Sequence, residues 1–173
     1  MGKAGYIHHM RGDWDEALKY HQEALAIDKA IGFRRGIASD LGNIAGIYFE
    51  KDSIDKALEY VQEALKIDNE IGYSEGEANQ LGNAANIYRS KGDLLQALKY
   101  NFESLRKYRE IGSKQGEALD LGNIGMIYKD MGLLDAALKY LEEADAILIK
   151  HNLAYGRDIF EKAIAEIKSK KTK

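Results

Sequence analysis

The sequence has no cysteine and no proline among its 173 residues. The lack of cysteine excludes a disulfide scaffold, a thiolate zinc site and a cysteine nucleophile. The lack of proline, which interrupts helices, predicts a chain made mostly of continuous helix. Long apolar runs are missing too, since none approaches the roughly 20 residues that cross a bilayer, and the first residues do not resemble a signal peptide. We therefore expect a soluble, cytoplasmic protein without a membrane partner.

Positive and negative charges nearly balance, because the chain has 25 basic and 28 acidic residues and a formal net charge of −3. Nucleic-acid binding requires a basic surface, so no nucleic-acid partner is expected. The four histidines do not have the spacing of a zinc site. No phosphate-binding loop or serine-nucleophile motif occurs either. The sequence thus indicates no catalytic residue, no metal site and no cofactor.

A pattern of 40 residues recurs along the chain. Its marker, Leu-Gly-Asn, occupies residues 41–43, 81–83 and 121–123. Each repeat contains two stripes of apolar residues at the spacing of helices, separated by a short polar break. The second stripe is followed by a residue that favours the left-handed conformation in which helices end: Gly32, Gly72, Gly112 and Asn152. The pattern predicts nine helices in antiparallel pairs, with breaks near residues 12, 32, 52, 72, 92, 112, 132 and 152.

The order of large, small and aromatic residues within a repeat resembles the signature of the tetratricopeptide family. In the second repeat the signature residues are Leu41, Ile44, Ala45, Tyr48, Ala57, Val61 and Ala64. The period of 40 residues exceeds the common 34, and the usual proline is absent, which is similar to the long repeats of kinesin light chains. The resemblance implies an all-α fold, a right-handed α-solenoid of tandem helix-turn-helix repeats.

The repeat register predicts a single solenoid over residues 1–173. Its parts are a truncated first repeat (1–32), full repeats (33–72, 73–112 and 113–152), and a C-terminal capping helix with a basic tail (153–173). The first repeat lacks its opening turns, so we expect a fragment of a longer array, although the gene could also begin here. Its uncovered apolar edge predicts a homodimer or end-to-end stacking; the edge residues are Met1, Ala4, Ile7, Trp14 and Leu18.

Several local contacts follow from the same register. Asp13 with Glu16, and Asp93 with Gln96, have the spacing of capping boxes at helix N-termini. His21 and His151 fall on apolar stripes and are expected at the edge of the core. The capping helix is expected to turn six residues inward: Tyr155, Ile159, Phe160, Ala163, Ile164 and Ile167.

A glycine followed by an asparagine in the middle of each first helix is the strongest functional signal. Both residue types disfavour helix, yet the pair recurs as Gly42 and Asn43, Gly82 and Asn83, and Gly122 and Asn123. By the resemblance, first helices line the concave surface, and the asparagines are similar to the ladder that holds an extended peptide backbone in kinesin light chains. A carboxamide both donates and accepts hydrogen bonds, and the glycine is expected to leave room for the ligand. The alternative is that both residues only pack adjacent helices or reflect recent duplication.

Residues about one helical turn from the asparagines differ between repeats and are expected to set specificity: Tyr6, Asn86 and Met126, with Phe49, Arg89 and Lys129. Arg89 and Lys129 would favour an acidic or C-terminal group, although Glu50 and Asp130 lie near them. The leading hypothesis is a non-catalytic scaffold that binds an extended peptide or partner segment. A self-assembling structural module without a ligand is the alternative. An RNA-binding pentatricopeptide array is disfavoured, because such arrays have a shorter period and a basic groove.

Overall fold

The computed structural model describes residues 11–171, in which eight helices are joined by turns of a few residues. The helices are α1 (Trp14–Ile31), α2 (Arg34–Glu50), α3 (Ile54–Ile71), α4 (Ser74–Ser90), α5 (Leu94–Glu110), α6 (Lys114–Asp130), α7 (Leu134–Lys150) and α8 (Arg157–Lys171). This part of the chain contains no strand. The predicted all-α class and its breaks are confirmed here, whereas the first of the nine predicted helices lies outside the described residues.

Residues with positive φ angles separate the helices where the pattern predicted. Gly32 and Gly72 have φ angles of 70° and 68° and donate their backbone N–H groups to the last turns of α1 and α3. Asn152 has a φ of 56°, as expected of the residue that replaces glycine, and Asp52 has a φ of 57° in the turn before α3. A short polar side chain tolerates this conformation better than an apolar one. The repeat register therefore follows from local backbone preferences.

One of the two predicted capping boxes has its N-cap hydrogen bond, and the other lacks it. Asp93 accepts a hydrogen bond from the backbone N–H of Gln96 at 3.1 Å, but Asp13 makes no such capping bond to α1. Ser113 provides a cap that the pattern did not indicate, since its hydroxyl accepts from the backbone N–H of Gly116. A cap requires the correct side-chain rotamer as well as the correct residue type.

The chain forms two compact units, Met1–Ile87 and Tyr88–Lys173. In the first unit α2 packs against α1 and α3, and its core includes Ile37, Leu41 and Ala64. In the second unit α6 packs against α5 and α7, and α8 packs against α7. The second core is strongly apolar, with Leu141, Leu148 and Ile167 fully buried. In each unit the short turns place helices that are consecutive in sequence side by side.

The capping helix α8 faces the core with Phe160, Ala163 and Ile167, as predicted. Two of the residues expected inside are exposed, however, with 72% of Tyr155 and 55% of Ile159 accessible to solvent. Tyr155 lies in the turn before α8 begins. Ile159 lies about 100° around the helix from Phe160, because successive residues differ by that angle. The prediction was wrong for Tyr155 because the helix begins only at Arg157, and wrong for Ile159 because that residue lies on the exposed side of the helix.

The two histidines predicted at the core edge differ from that expectation. His21 is 2% exposed, and its imidazole Nδ1 lies 2.9 Å from a carboxylate oxygen of Asp40, within hydrogen-bonding distance. His151 is exposed in the turn after α7. Trp14 and Leu18, from the predicted stacking edge, are half-buried, and the other members of that edge lie outside the described residues. Among residues 11–171, no helix is long and apolar enough to cross a membrane.

Candidate functional site

A cleft of about 420 Å³ lies in the first unit, between the first helices α2 and α4 of two successive repeats. Residues three, four or seven positions apart share one face of a helix, and this spacing explains the cleft walls. Its lining is formed by Arg35, Ser39, Gly42, Asn43, Gly46, Asp68, Tyr73, Gly76, Asn79, Gln80 and Asn83. This surface is mostly polar, which makes it unlike the core beneath it and suits a ligand with hydrogen-bonding groups.

Two of the three predicted asparagines meet in this cleft. Asn43 and Asn83 lie at equivalent positions of adjacent repeats and both side chains are exposed. The amide of Asn43 has no hydrogen-bond partner among residues 11–171. The amide nitrogen of Asn83 donates to Oε1 of Gln80 in the same helix, at 3.2 Å. The Asn43 amide is therefore unpartnered within the described residues, whereas the Asn83 amide is bonded within its own helix.

The third predicted asparagine, Asn123, belongs to the second unit. It lies on α6, is half-buried, and has no hydrogen-bond partner within the described part of the chain. Met126, one turn further along α6, packs against the apolar core of this unit. Asn123 therefore lies one turn from a residue of the apolar core, whereas Asn43 and Asn83 line a polar cleft.

The glycines that precede the asparagines are expected from the sequence to leave room for a ligand. At Gly42 and Gly122 a side chain of a neighbouring helix occupies that space instead. A Cβ atom on Gly42 would lie 2.8 Å from the side-chain amide of Gln80, and one on Gly122 would overlap the ring of Phe160. Gln80 and Phe160 come from the next first helix in each case. The glycines thus permit close packing of neighbouring helices, and this part of the prediction is wrong for both positions. Gly82, the third member, is half-buried in α4.

The deepest charged group of the cleft is Asp68 on α3, which the sequence analysis missed. It is 1% exposed, and its Oδ1 atom has no hydrogen-bond partner among the described residues. Burial is the main cause that raises the pKa of this carboxyl to about 6, and the negative charge of Glu77 raises it further. A hydrogen bond from Gln80 and the positive charge of Arg35 lower the pKa and so oppose the shift. A sequence signal existed, since position 68 lies four residues after Ala64 and continues the apolar stripe.

Arg35 is held along one side of the cleft by Tyr73. Its guanidinium carbon lies 3.9 Å from the centre of the tyrosine ring, and one of its N–H groups donates to the hydroxyl at 2.6 Å. The hydroxyl in turn donates to Glu75 at 2.9 Å. Stacking and hydrogen bonding together fix the guanidinium at this position. The cleft therefore contains a fixed cation and a buried carboxylate.

The residues predicted to set specificity are distributed over both units. Arg89 donates to Asp130 and Lys129 donates to Glu166, each at 2.6 Å. Each cation is therefore already paired with a carboxylate of the same unit, and its preference for an acidic ligand stays a prediction. The other four members have different environments. Asn86 is exposed, Phe49 and Met126 are half-buried, and Tyr6 lies outside the described residues.

A buried carboxylate with a raised pKa also occurs in the second unit. Asp120 on α6 is 4% exposed, and burial raises its pKa to about 7 against a hydrogen bond from Ser104. Its Oδ2 atom has no partner among the described residues, and neither polar atom of the fully buried Asn101 has one. Unpaired buried groups lower stability, so these two residues are weak points of the second core.

The tandem helix pairs define a helical-repeat protein, in which a polar cleft lies between two first helices. The chain matches the model of the tetratricopeptide repeat over residues 1–70 and 77–150. These ranges cover most of the 173 residues. The chain therefore belongs to the tetratricopeptide repeat family, as the sequence pattern predicted. No curated protein matches the sequence.

Three solved structures illustrate the likeness. BtubC (BKLC) from P. vanneervenii is 23% identical with a TM-score of 0.79, over 94% of this chain and 68% of that one. A putative kinesin light chain from Podosopora anserina with nearly identical TPR-like repeats is 15% identical with a TM-score of 0.74, over 96% and 82%. The Rap conjugation gene regulator of plasmid pLS20, in complex with the Phr* peptide, is 16% identical with a TM-score of 0.73, over 96% and 52%.

At these identities the likeness concerns the fold alone. The similarity to kinesin light chain repeats, predicted from the 40-residue period, is confirmed at that level. The chain spans about half the length of the Rap structures that it matches.

Proposed function

We propose that this chain is a non-catalytic interaction module that binds an extended peptide or partner segment. Asn43 and Asn83 hold the backbone of that segment in the cleft of the first unit, and Asn123 makes the equivalent contact on the second unit. The observation that carries the proposal is that two equivalent asparagines line one polar cleft and one of them has an unpartnered amide. The glycines Gly42 and Gly122 support this site indirectly, by letting first helices pack closely.

The chemistry of the carboxamide fits a backbone ligand. One asparagine side chain can accept from a peptide N–H and donate to a peptide C=O, as a neighbouring β-strand would. Each such bond contributes on the order of 1 kcal/mol net, so several are needed for a stable complex. Residues that differ between repeats, such as Asn86 and Phe49, would then select the ligand side chains.

The comparisons support this proposal without deciding it. One protein of similar fold has been solved with the Phr* peptide bound, so the fold is compatible with a peptide ligand. The fold alone does not determine function, and the argument for this chain therefore depends on its own cleft residues.

The proposal is tested by affinity selection from a randomised pool of extended octapeptides. We expect the wild-type protein to enrich a subset of peptides, and the variant with Asn43→Ala, Asn83→Ala and Asn123→Ala to lose at least tenfold in affinity for them. Asn69→Ala is the matched control, because Asn69 is exposed on α3 and does not line the cleft. Equal enrichment by the wild-type protein and the triple variant would contradict the proposal.

Self-association is the second candidate function. Ile31 and Phe33 are 70% and 51% exposed on either side of the turn between α1 and α2, and exposed apolar residues favour association. Light scattering over a hundredfold range of concentration tests it. We expect the mass to rise with concentration in the wild-type protein, and less in the double variant with Ile31→Ser and Phe33→Ser. A constant monomer mass would remove this candidate.

A further inference from the structure

The carboxylate on the floor of the first-unit cleft has no packing role that requires its charge. The equivalent positions of the other repeats hold Asp28, Tyr108 and Leu148, of which Leu148 is fully buried in the second core. An apolar residue thus serves at this position of the repeat. Burying a carboxylate without complete pairing costs free energy, and the first unit bears that cost at Asp68.

We propose that Asp68 is the counter-ion for an ammonium group of the bound segment, so that the cleft selects a positively charged ligand. The inference depends on the proposed function, because the asparagines position the ligand backbone over the same cleft. Asp68 lines the cleft and is only 1% exposed. Its Oδ1 atom has no hydrogen-bond partner within residues 11–171. A ligand cation would supply the missing hydrogen bonds and the missing charge.

The packing around Asp68 holds its carboxylate on the cleft floor. A Cβ atom on Gly76 would lie 2.5 Å from the carboxylate, so α4 can approach Asp68 only because a glycine stands there. Gln80, also on α4, donates a side-chain hydrogen bond to the carboxylate. The carboxylate is therefore fixed before any ligand arrives, which lowers the entropic cost of binding.

The charges that face Asp68 leave its negative charge incompletely compensated. Arg35 on α2 is the cation that acts on it, but that guanidinium is stacked on Tyr73 and hydrogen-bonded to its hydroxyl. Glu77 on α4 adds a second negative charge. A compact ammonium group, on a lysine side chain or at a peptide N-terminus, fits a single unpartnered carboxylate oxygen better than a bidentate guanidinium does.

The binding test uses three randomised octapeptide pools that differ only at a fixed central residue, which is lysine, norleucine or glutamate. Each pool is prepared both with a free and with an acetylated N-terminus, and histidine is omitted. We expect the lysine pool to bind the wild-type protein at least tenfold more tightly than the norleucine pool. If the free N-terminus supplies the ammonium instead, acetylation will remove binding from all pools equally.

The matched variants separate this inference from the proposed function. Asp68→Asn has nearly the same shape, and it should abolish the preference for lysine while weak backbone binding remains. Asp28→Asn, the equivalent change one repeat earlier, lies outside the cleft and should leave the preference intact. Equal binding of all six pools would overturn the ammonium site and leave the peptide cleft standing. Binding of no pool would overturn the peptide cleft itself.

A pH series gives an independent readout. Because the cation binds the ionised carboxylate, affinity for the lysine pool should fall about tenfold from pH 7.5 to pH 5, around the Asp68 pKa of about 6. The groups that face this carboxylate, Arg35 from α2 and Glu77 and Gln80 from α4, are the same in all arms. The fall should disappear in Asp68→Asn. A fall of the same size in that variant would show that another group titrates and would overturn the inference.

Discussion

The first-unit cleft and the equivalent place in the second unit occupy the same positions of the repeat, but the first is lined by polar side chains and the second is filled by apolar ones. Asp68 and Gln80 lie at the floor of the first, whereas the residues 80 positions later are Leu148 and Phe160. Gln80 covers Gly42 with an amide, and Phe160 covers Gly122 with an aromatic ring. Two side chains per repeat therefore decide whether the space between first helices becomes a polar cleft or a part of the core.

The buried aspartates of the first helices make a second comparison between the units. Asp40 is close enough to hydrogen-bond to the buried imidazole of His21. Asp120, 80 residues later, has Asn101 at the position of that histidine, and the Asn101 side chain forms no hydrogen bond among the described residues. The same buried carboxylate position is thus paired in one unit and incompletely paired in the other, which should make their responses to pH differ.

The largest expected effect concerns the aromatic ring that fills the second unit. Phe160→Ala should lower the free energy of unfolding by about 3–5 kcal/mol, because it removes a buried ring and leaves a cavity over Gly122. Ile159→Ala, next to it but 55% exposed, should cost less than about 1 kcal/mol. Urea denaturation measures both. Equal losses would show that α8 does not cover the second core as described.

The pH dependence of the second unit should be set by Asp120. Its pKa in the fold is raised to about 7, so the fold favours the protonated form. The stabilisation is complete below the ordinary pKa of 3.8 and is lost as the pH rises through about 7. From pH 5 to pH 8 Asp120 should therefore contribute a fall of about 2–3 kcal/mol to the unfolding free energy, beside a smaller contribution from Asp68.

The control for this effect is Asp120→Asn, which removes the ionisable group and keeps its shape. Relative to the wild-type protein, the variant should lose that fall between pH 5 and pH 8, as measured by urea denaturation at each pH. If the variant and the wild-type protein show parallel pH profiles, Asp120 is not the group responsible.

The paired carboxylate of the first unit should respond to loss of its partner. His21→Asn introduces the residue found at the equivalent position of the second unit, and it should lower the unfolding free energy by about 1–2 kcal/mol through the lost hydrogen bond. Asn101→His is the reciprocal change and should raise it by less, because the surrounding packing must adjust. Thermal unfolding measures both. No loss in His21→Asn would mean that the pair contributes nothing to stability.

The smallest expected effect is on the stability of the triple asparagine variant. Alanine favours helix over asparagine by roughly half a kcal/mol per site, so replacing Asn43, Asn83 and Asn123 should leave the melting temperature unchanged or raise it slightly. Asn83 contributes least to the gain, because it also donates to Gln80. A large drop in melting temperature would assign these residues to packing and not to a ligand.

The sequence predicted the helices well because their ends depend on local chemistry. Positive-φ positions such as Gly32 and Gly72 are visible in the sequence, and so is the 40-residue repeat that relates the helices. The sequence also indicated Asn43 and Asn83 as candidate site residues, because glycine and asparagine, two poor helix formers, recur together in the middle of first helices. Asp68 was missed because its importance depends on an unpartnered oxygen, which the sequence does not show, although its place on the apolar stripe indicated burial.

The sequence by itself thus determined the family, the helix boundaries and the candidate asparagines, since periodicity and capping preferences act between residues close in the chain. Only the tertiary structure decided which side chains share a cleft and which charges are already paired. Arg89 and Lys129 are bound to acidic residues about 40 positions away, and Gly42 is covered by a side chain 38 positions away. Contacts over such separations depend on how helices pack, and packing makes one repeat polar and another apolar on the same backbone plan.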